Sequence, residues 1–316
     1  MPTAQYALRK LLAGIPLVLG VTLVSFALMV YFGPDRTYEL LGKNPTVEQI
    51  AEVRSQLGYD QPFAARYAGF LREIVTFDFG YAATGEPVGE LLARTVPVSL
   101  ALILPGFVLG HLVALGLALL AAYWRGRPAD RLIMALATVG MSVSFVIVMI
   151  GFQILFGSAD WLGWFPVRGW STATPGQYLQ HIAVPTLATM FVAVGYDTRF
   201  YRALVAEEMT RDHVRTARAY GIPEARIFYR NILKNCLIPV ITRIMFSIPS
   251  VAVGGSLLIE SYFGIPGVGR ATYEAIITGD QPVLKAVITL TALAFVVVVI
   301  LNDILYRAVD PRVALE

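Results

Sequence analysis

An all-α polytopic membrane protein with six transmembrane helices is the fold class predicted by this sequence, on three observations. Hydrophobic residues make up 56% of the 316 and charged residues only 15%, against roughly 25% charged in soluble globular domains. The charges are bunched, which leaves apolar stretches long enough for the roughly 20 helical residues that a hydrocarbon core of about 30 Å requires. Six such stretches recur, at about 11–33, 97–123, 132–157, 182–203, 236–259 and 284–306, and Lys and Arg collect in alternate connections between them.

The first stretch, Leu11 to Phe32, is too long for a signal-peptide core and ends in no small-residue cleavage site, so it reads as a retained span. Residues 1–33 then form a cytoplasmic N-terminus plus the first span. Pro34 to Thr95 carries nine acidic and six basic residues and reads as a small helical extracytoplasmic subdomain, 34–95. Within it "NPTVEQIAEVRSQLG" offers Thr46 as an N-cap, Gln49 three residues on to complete a capping box, and Gly58 as a stop. Residues 96–316 hold the remaining five spans. "WRGRPADR" (124–131) joins the second span to the third. Ser158 to Gln180, with Trp161, Trp164 and Trp170, suits an irregular loop whose indoles settle at the interface, as anchors or as ligand contacts. A basic loop at 206–235 joins the fourth span to the fifth. Arg9 and Lys10 lie on the same side as the two basic loops if both termini are cytoplasmic. Pro16, Pro97, Pro105, Pro185, Pro239 and Pro249 fall in or near spans, where neighbouring helices can satisfy the freed carbonyls.

The basic loop carries the most information. Its six Arg and Lys residues between Arg211 and Lys234 would each cost about 2.5–3.5 kcal/mol at a bilayer centre, so it stays outside the lipid. Arg211, Arg215 and Arg218 share one face of a helix that Gly221 is placed to end in a left-handed conformation. After Pro223, a favoured first-turn residue, the α-period puts Ala225, Phe228, Tyr229, Ile232 and Leu233 on one apolar face, with Arg226, Arg230 and Lys234 on another. The spacing therefore predicts helix, glycine turn, and a short amphipathic helix at about 222–233 across the mouth of the fourth and fifth spans. Such a helix serves either to lie on anionic lipid or to dock on a protein.

"VRTARAYGIPEARIFYRNILKNCLIPVIT" resembles the cytoplasmic loop of permease subunits of binding-protein-dependent ABC importers, in the dipeptide and oligopeptide (peptide/nickel) branch. "LIESYFGIPGVGR" (258–270), "DILYRAVDPRV" (303–313) and "FDFGYAATGEPVGELLARTVPVSLAL" (77–102) resemble other segments of that branch. The resemblance implies a type I ABC importer transmembrane-domain fold, with the loop at 206–235 holding the coupling helix that docks on an ATPase subunit. The family's Glu-Ala-Ala triplet falls on Arg215, Thr216 and Ala217, and its glycine on Gly221. Arg stands in place of Glu, and the Leu-Pro-like pair arrives late, as Ile238-Pro239. Coupling is assigned on this basis to Arg215, Thr216, Ala217, Gly221, Ile222, Pro223, Glu224, Arg226, Ile227, Phe228 and Arg230. The implied partners are a homologous second permease forming a heterodimer, two ABC ATPase subunits, an extracytoplasmic solute-binding protein and membrane lipid. The implied place is the bacterial inner membrane. Peptide is the implied cargo, with nickel and glutathione as alternatives within the branch.

Several chemistries lack their residues. None of the four lysines completes a P-loop, so no cofactor is expected on this chain, and ATP and Mg would be bound by the ATPase subunits. His111, His181 and His213 have no partner at metal spacing, and no G-x-S-x-G or H-E-x-x-H motif occurs, which disfavours a membrane-embedded enzyme. Cys236 is the single cysteine, so no internal disulfide can form; a packing role is expected. A net charge of +3 gives nucleic-acid binding no electrostatic support. An ion-driven secondary transporter would show ionisable residues near mid-membrane and related halves, and neither is evident in the sequence. His111 reads as a pathway residue or as a histidine hydrogen-bonded between helices. Asp197, Arg199 and Arg202 read as a gate or as charges paired at the cytoplasmic interface; Glu260 and Asp303 sit at span ends.

Overall fold

The computed structural model describes residues 3–33, 37, 41, 45–56, 58–251 and 256–309, so the end of the 303–313 segment lies outside the described residues. Regular structure among them is helical, with one isolated bridge between Tyr81 and Pro87. Helix α1 (Thr3–Phe32) carries Pro16 inside it. In front of α2 (Val47–Gln56) the capping box forms reciprocally. The Gln49 amide donates to Thr46 Oγ1 at 3.3 Å and the Thr46 amide to Gln49 Oε1 at 3.0 Å, while Gly58 takes φ +67° beyond the helix end. Helix α3 (Phe63–Thr76) has no core of its own. Its Phe70 and Ile74 are buried together with Phe26 of α1, and Phe26 stacks on Phe70 at 5.3 Å.

The second span is α4 (Val88–Tyr123), which runs through Pro97 and Pro105. The third is not one helix. α5 (Pro128–Ser142) and α6 (Phe145–Gly157) meet at a bend of 102°. Val143 (ψ 133°) and Ser144 (ψ 135°) are extended and interrupt the helical ladder. At 1.5 Å per residue each half reaches only about 20 Å, short of the roughly 30 Å core. Five helices are long and apolar enough to cross a membrane, and the bent pair makes a sixth if taken as one span.

The fourth span is α7 (Pro175–Glu208), opened by Pro175 and by Thr174 Oγ1, which accepts the Gln177 amide at 3.2 Å. It lies against α4 along a run of small residues four apart, Gly106, Gly110, Ala114, Ala118 and Ala122, all buried. Small residues let membrane helices approach closely where lipid supplies no hydrophobic drive. A Cβ on Gly106 would sit 2.5 Å from Thr189 Oγ1 of α7.

After α7 come α8 (Asp212–Ala219), α9 (Glu224–Ile227), a π-helical segment (Phe228–Leu233) and α10 (Lys234–Ser250). The last three are continuous, which corrects the expected free-standing helix at 222–233: that stretch is the basic end of the fifth span. The detached short helix is α8. Hydrogen bonding from i to i+5 in a π segment places residues five apart on one side, so Ile227 and Ile232 are both fully buried. Tyr229, which the α-period placed on the apolar face, is 76% exposed, and Ala225 is exposed too.

The chain closes with α11 (Ser256–Phe263), α12 (Val268–Thr278) and α13 (Gln281–Val309), the last packed on α1 and α10. Gly264 turns the chain at φ +70° between α11 and α12. Glu260 of α11 is fully buried here and acts as a cap for α12 from outside it, its Oε2 accepting the Arg270 amide at 3.1 Å. Ser99 Oγ of α4 accepts the Val268 amide at 2.8 Å. Burial pushes the Glu260 carboxyl above its ordinary value of 4.5, while the Ser99 hydroxyl and the Arg270 and Gly269 amides pull it back. A carboxyl raised by folding contributes fully below its ordinary value and loses that contribution as pH rises through the raised one. Thermal unfolding in detergent between about pH 4.5 and 8 should therefore show Glu260→Gln gaining on the wild type as pH rises. A difference that does not change with pH would remove this role for the carboxyl.

Candidate functional site

The basic loop folds into an elbow. Helix α8 ends at Tyr220, Gly221 takes φ +71°, the Gly221 amide donates to Arg218 O at 2.9 Å and the Ile222 amide to Ala217 O at 3.2 Å. These two bonds and the packing of Ile222 beside Ala217 form the left-handed helix stop in which glycine has no Cβ penalty. Arg218 Nε donates to Glu224 Oε1 at 2.8 Å across the turn, joining α8 to α9. Beneath, Val214, Ala217, Ile227, Ile232 and Cys236 make one buried cluster with Ala122 of α4 and Val205 of α7.

A polar staple holds the elbow to the spans. Glu208, buried at the end of α7, accepts Asn235 Nδ2 at 2.7 Å, is ion-paired with Arg211 Nε at 2.9 Å, and lies 3.2 Å from His213 Nε2. It ties α7, α8 and α10 at one point. Nearby, Arg202 makes a two-point bond to Asp130 of α5, both at 2.7 Å, and Arg199 donates to Thr138 at 3.0 Å. Arg202 and Arg199 are thus committed to α5.

The residues assigned to coupling divide into two groups. Arg215, Thr216, Gly221, Pro223, Glu224, Arg226 and Arg230 are exposed. Ala217 and Ile227 are buried, and Ile222 and Phe228 are half-buried, Phe228 edge-on to Tyr123 at 5.5 Å. The first group is open to contact with another protein; the second builds the base. Tyr220 and Tyr229 are 81% and 76% exposed and flank the turn, and neither is among the residues assigned to coupling from the sequence. Two aromatics beside a basic stretch were the available signal, because aromatics are enriched at interface cores.

Asp197 behaves differently from Arg199 and Arg202. It accepts Arg243 Nε of α10 at 3.0 Å and lies 3.3 Å from His111 Nδ1 of α4. His111 also meets Tyr201 OH at 2.9 Å and Ser247 Oγ at 3.4 Å. The cluster borders a cavity of about 410 Å³. His111 lies 12 residues, or roughly 18 Å, before the basic end of α4, about mid-way across a hydrocarbon core. The expectation of no ionisable group near mid-membrane is corrected here: three helices bring a histidine, an aspartate and an arginine together.

The sequence matches the family described as binding-protein-dependent transport system inner membrane component over residues 114–315, and the corresponding N-terminal family over residues 3–101. It is 32% identical over 309 residues to a peptide transport system permease protein of Brucella abortus (strain 2308), covering 97% of this chain and 98% of that one. It is 31% identical over 311 residues to the glutathione transport system permease protein GsiC of Salmonella typhimurium (strain LT2), covering 98% of each. Among solved structures, the inward-facing MetNI methionine ABC transporter superposes with a TM-score of 0.55 at 18% identity, over 69% of this chain and 96% of that one. That likeness shows the fold, an ABC importer permease fold. Matched over nearly its whole length and built of membrane-spanning helices, the chain belongs to the binding-protein-dependent transport system inner membrane components, the multi-pass permease subunits of ABC importers.

Proposed function

We propose that this chain pairs with a homologous second permease, as a heterodimer, to enclose a route for peptides delivered by a solute-binding protein. Two ABC ATPase subunits hold the ATP and Mg, and one of them grips the elbow formed by α8, Gly221 and α9. Both termini, with the elbow, are cytoplasmic. The exposed rim of Arg215, Thr216, Glu224, Arg226 and Arg230 is the docking surface. The observation that carries this reading is the division of the elbow into an exposed rim and a buried base. A rim on a base welded to three spans passes displacement to them, because packed interfaces switch between discrete arrangements. The Glu208 staple makes the connection stiff.

Glutathione is the second reading, favoured by the 31% identity to GsiC over 98% of both chains. Reconstitution decides between them. The chain, its partner permease and the ATPases are purified together, placed in liposomes with the binding protein, and given labelled tripeptide or glutathione. ATP-dependent uptake of tripeptide is expected, with no ATPase activity from the chain alone. Failure to form a complex, or uptake driven by an ion gradient without ATP, would overturn the reading; glutathione uptake alone would select the alternative.

A further inference from the structure

The Asp197–Arg243 pair leaves a membrane-embedded cation partly unspent. Arg243 gives its Nε–H to Asp197 at 3.0 Å, and its guanidinium lies 5.6 Å over the Phe200 ring. Its terminal nitrogens have no hydrogen-bond partner among the described residues, although its side chain is 43% exposed. Guanidinium presents five N–H donors in a planar fork, so four remain available. Exposed charge within a membrane is expensive and usually marks a route.

The surroundings fit a small ligand. Arg243 lines the cavity of about 410 Å³ together with Phe107, Tyr196 and Phe246, a size within the roughly 300–1,000 Å³ of small-ligand sites, which combine apolar walls with few polar groups. His111 and Asp197 border it too but are buried, with the histidine committed to Tyr201 and Ser247. Arg243 is therefore the charged group that an incoming molecule meets.

We propose that the terminal nitrogens of Arg243 form a carboxylate-binding station on the transport route. The carboxylate of a small zwitterionic or acidic cargo docks there through two parallel N–H···O bonds, with Asp197 as the positioning residue behind the guanidinium. This rests on the reading of the cargo as peptide-like. The pairing with Asp197 has a transport logic. A route must bind its cargo well enough to admit it and weakly enough to release it. An unpaired arginine in a low-dielectric cavity would hold a carboxylate strongly; prior neutralisation by Asp197 weakens that hold while keeping the fork aimed at the cavity.

The test uses the assembled importer in detergent. Phenylglyoxal adds to accessible arginines, and mass spectrometry reads the adduct at each residue, with exposed Arg72 as internal reference. Trialanine and glutathione are compared with trialanine amide and glutathione diethyl ester. The free acids should slow modification of Arg243 by roughly tenfold, the factor that charge-assisted hydrogen bonds supply, and the amide and ester should not. Asp197→Asn should deepen the protection by either acid. Equal protection by acids and their neutral derivatives, or none by any of them, overturns the station; unchanged protection in Asp197→Asn overturns the positioning role. Uptake by the same importer reconstituted in liposomes separates the two readings. Acid-specific protection without peptide or glutathione uptake sinks the cargo assignment and keeps the station, whereas peptide uptake without acid-specific protection does the reverse.

Discussion

Gly221→Pro is expected to insert into the membrane normally and to lose ATP-driven uptake. Gly221 sits at φ +71° and its amide donates to Arg218 O at 2.9 Å. Proline is locked near φ −65° and has no N–H, so both features go, at a local cost of about 3 kcal/mol or more. A penalty of that size reduces the population of the native elbow by about two orders of magnitude. The spans themselves carry no part of this loss, because the turn lies beyond the end of α7 and before α9. Proteoliposome uptake and ATP hydrolysis, measured together, should show uptake gone and hydrolysis either lost or freed from cargo. Gly221→Asn is the control, since asparagine tolerates the left-handed region and a Cβ at this position meets nothing within 4 Å. Wild-type uptake in the proline variant would end the assignment of coupling to this turn.

Gly195→Leu should prevent α5 from seating on α7. Even a Cβ at Gly195 would lie 2.8 Å from Met141 N, 2.9 Å from Gly140 C and 3.0 Å from Ala137 O. All three are backbone atoms of α5 and cannot rotate aside, so Gly195→Ala should cost about 3 kcal/mol, the upper end for overpacking. Leucine should exceed that and lower the yield of folded protein. Thermal unfolding in detergent measures the alanine variant, and monodisperse yield the leucine one. Gly116→Ala is the contrast: it has open space around its Cβ position, and alanine there should be neutral or stabilising by up to about 1 kcal/mol. A Gly195→Ala protein as stable as wild type would mean that this crossing is looser than its geometry.

Local features of the fold were legible where one local rule acts alone. Thr46 and Gln49 cap α2 through bonds within three residues of each other. Gly221 ends α8 because its turn is closed by bonds to Arg218 and Ala217, close in the chain. The π segment was not legible, because the α-period was assumed for a stretch whose register is decided by burying Ile227 and Ile232 against α4 and α7. The break at Val143 and Ser144 was equally hidden, since a continuous apolar run reads the same whether straight or bent. Of the residues assigned to coupling, Ala217 and Ile227 proved to be buried base, a distinction that needs neighbours from other helices.

The sequence by itself determined a membrane-spanning helical chain, a basic loop kept out of the lipid and a glycine turn within it. Each follows from transfer free energy or local backbone geometry, which act on residues near one another in the chain. Only the tertiary structure decided that Glu208 staples three helices and that Asp197 turns toward Arg243 while Arg202, five residues on, pairs with Asp130. Charges 46 and 72 residues apart in the chain meet because helix packing brings them together, and no periodicity within either segment encodes that meeting.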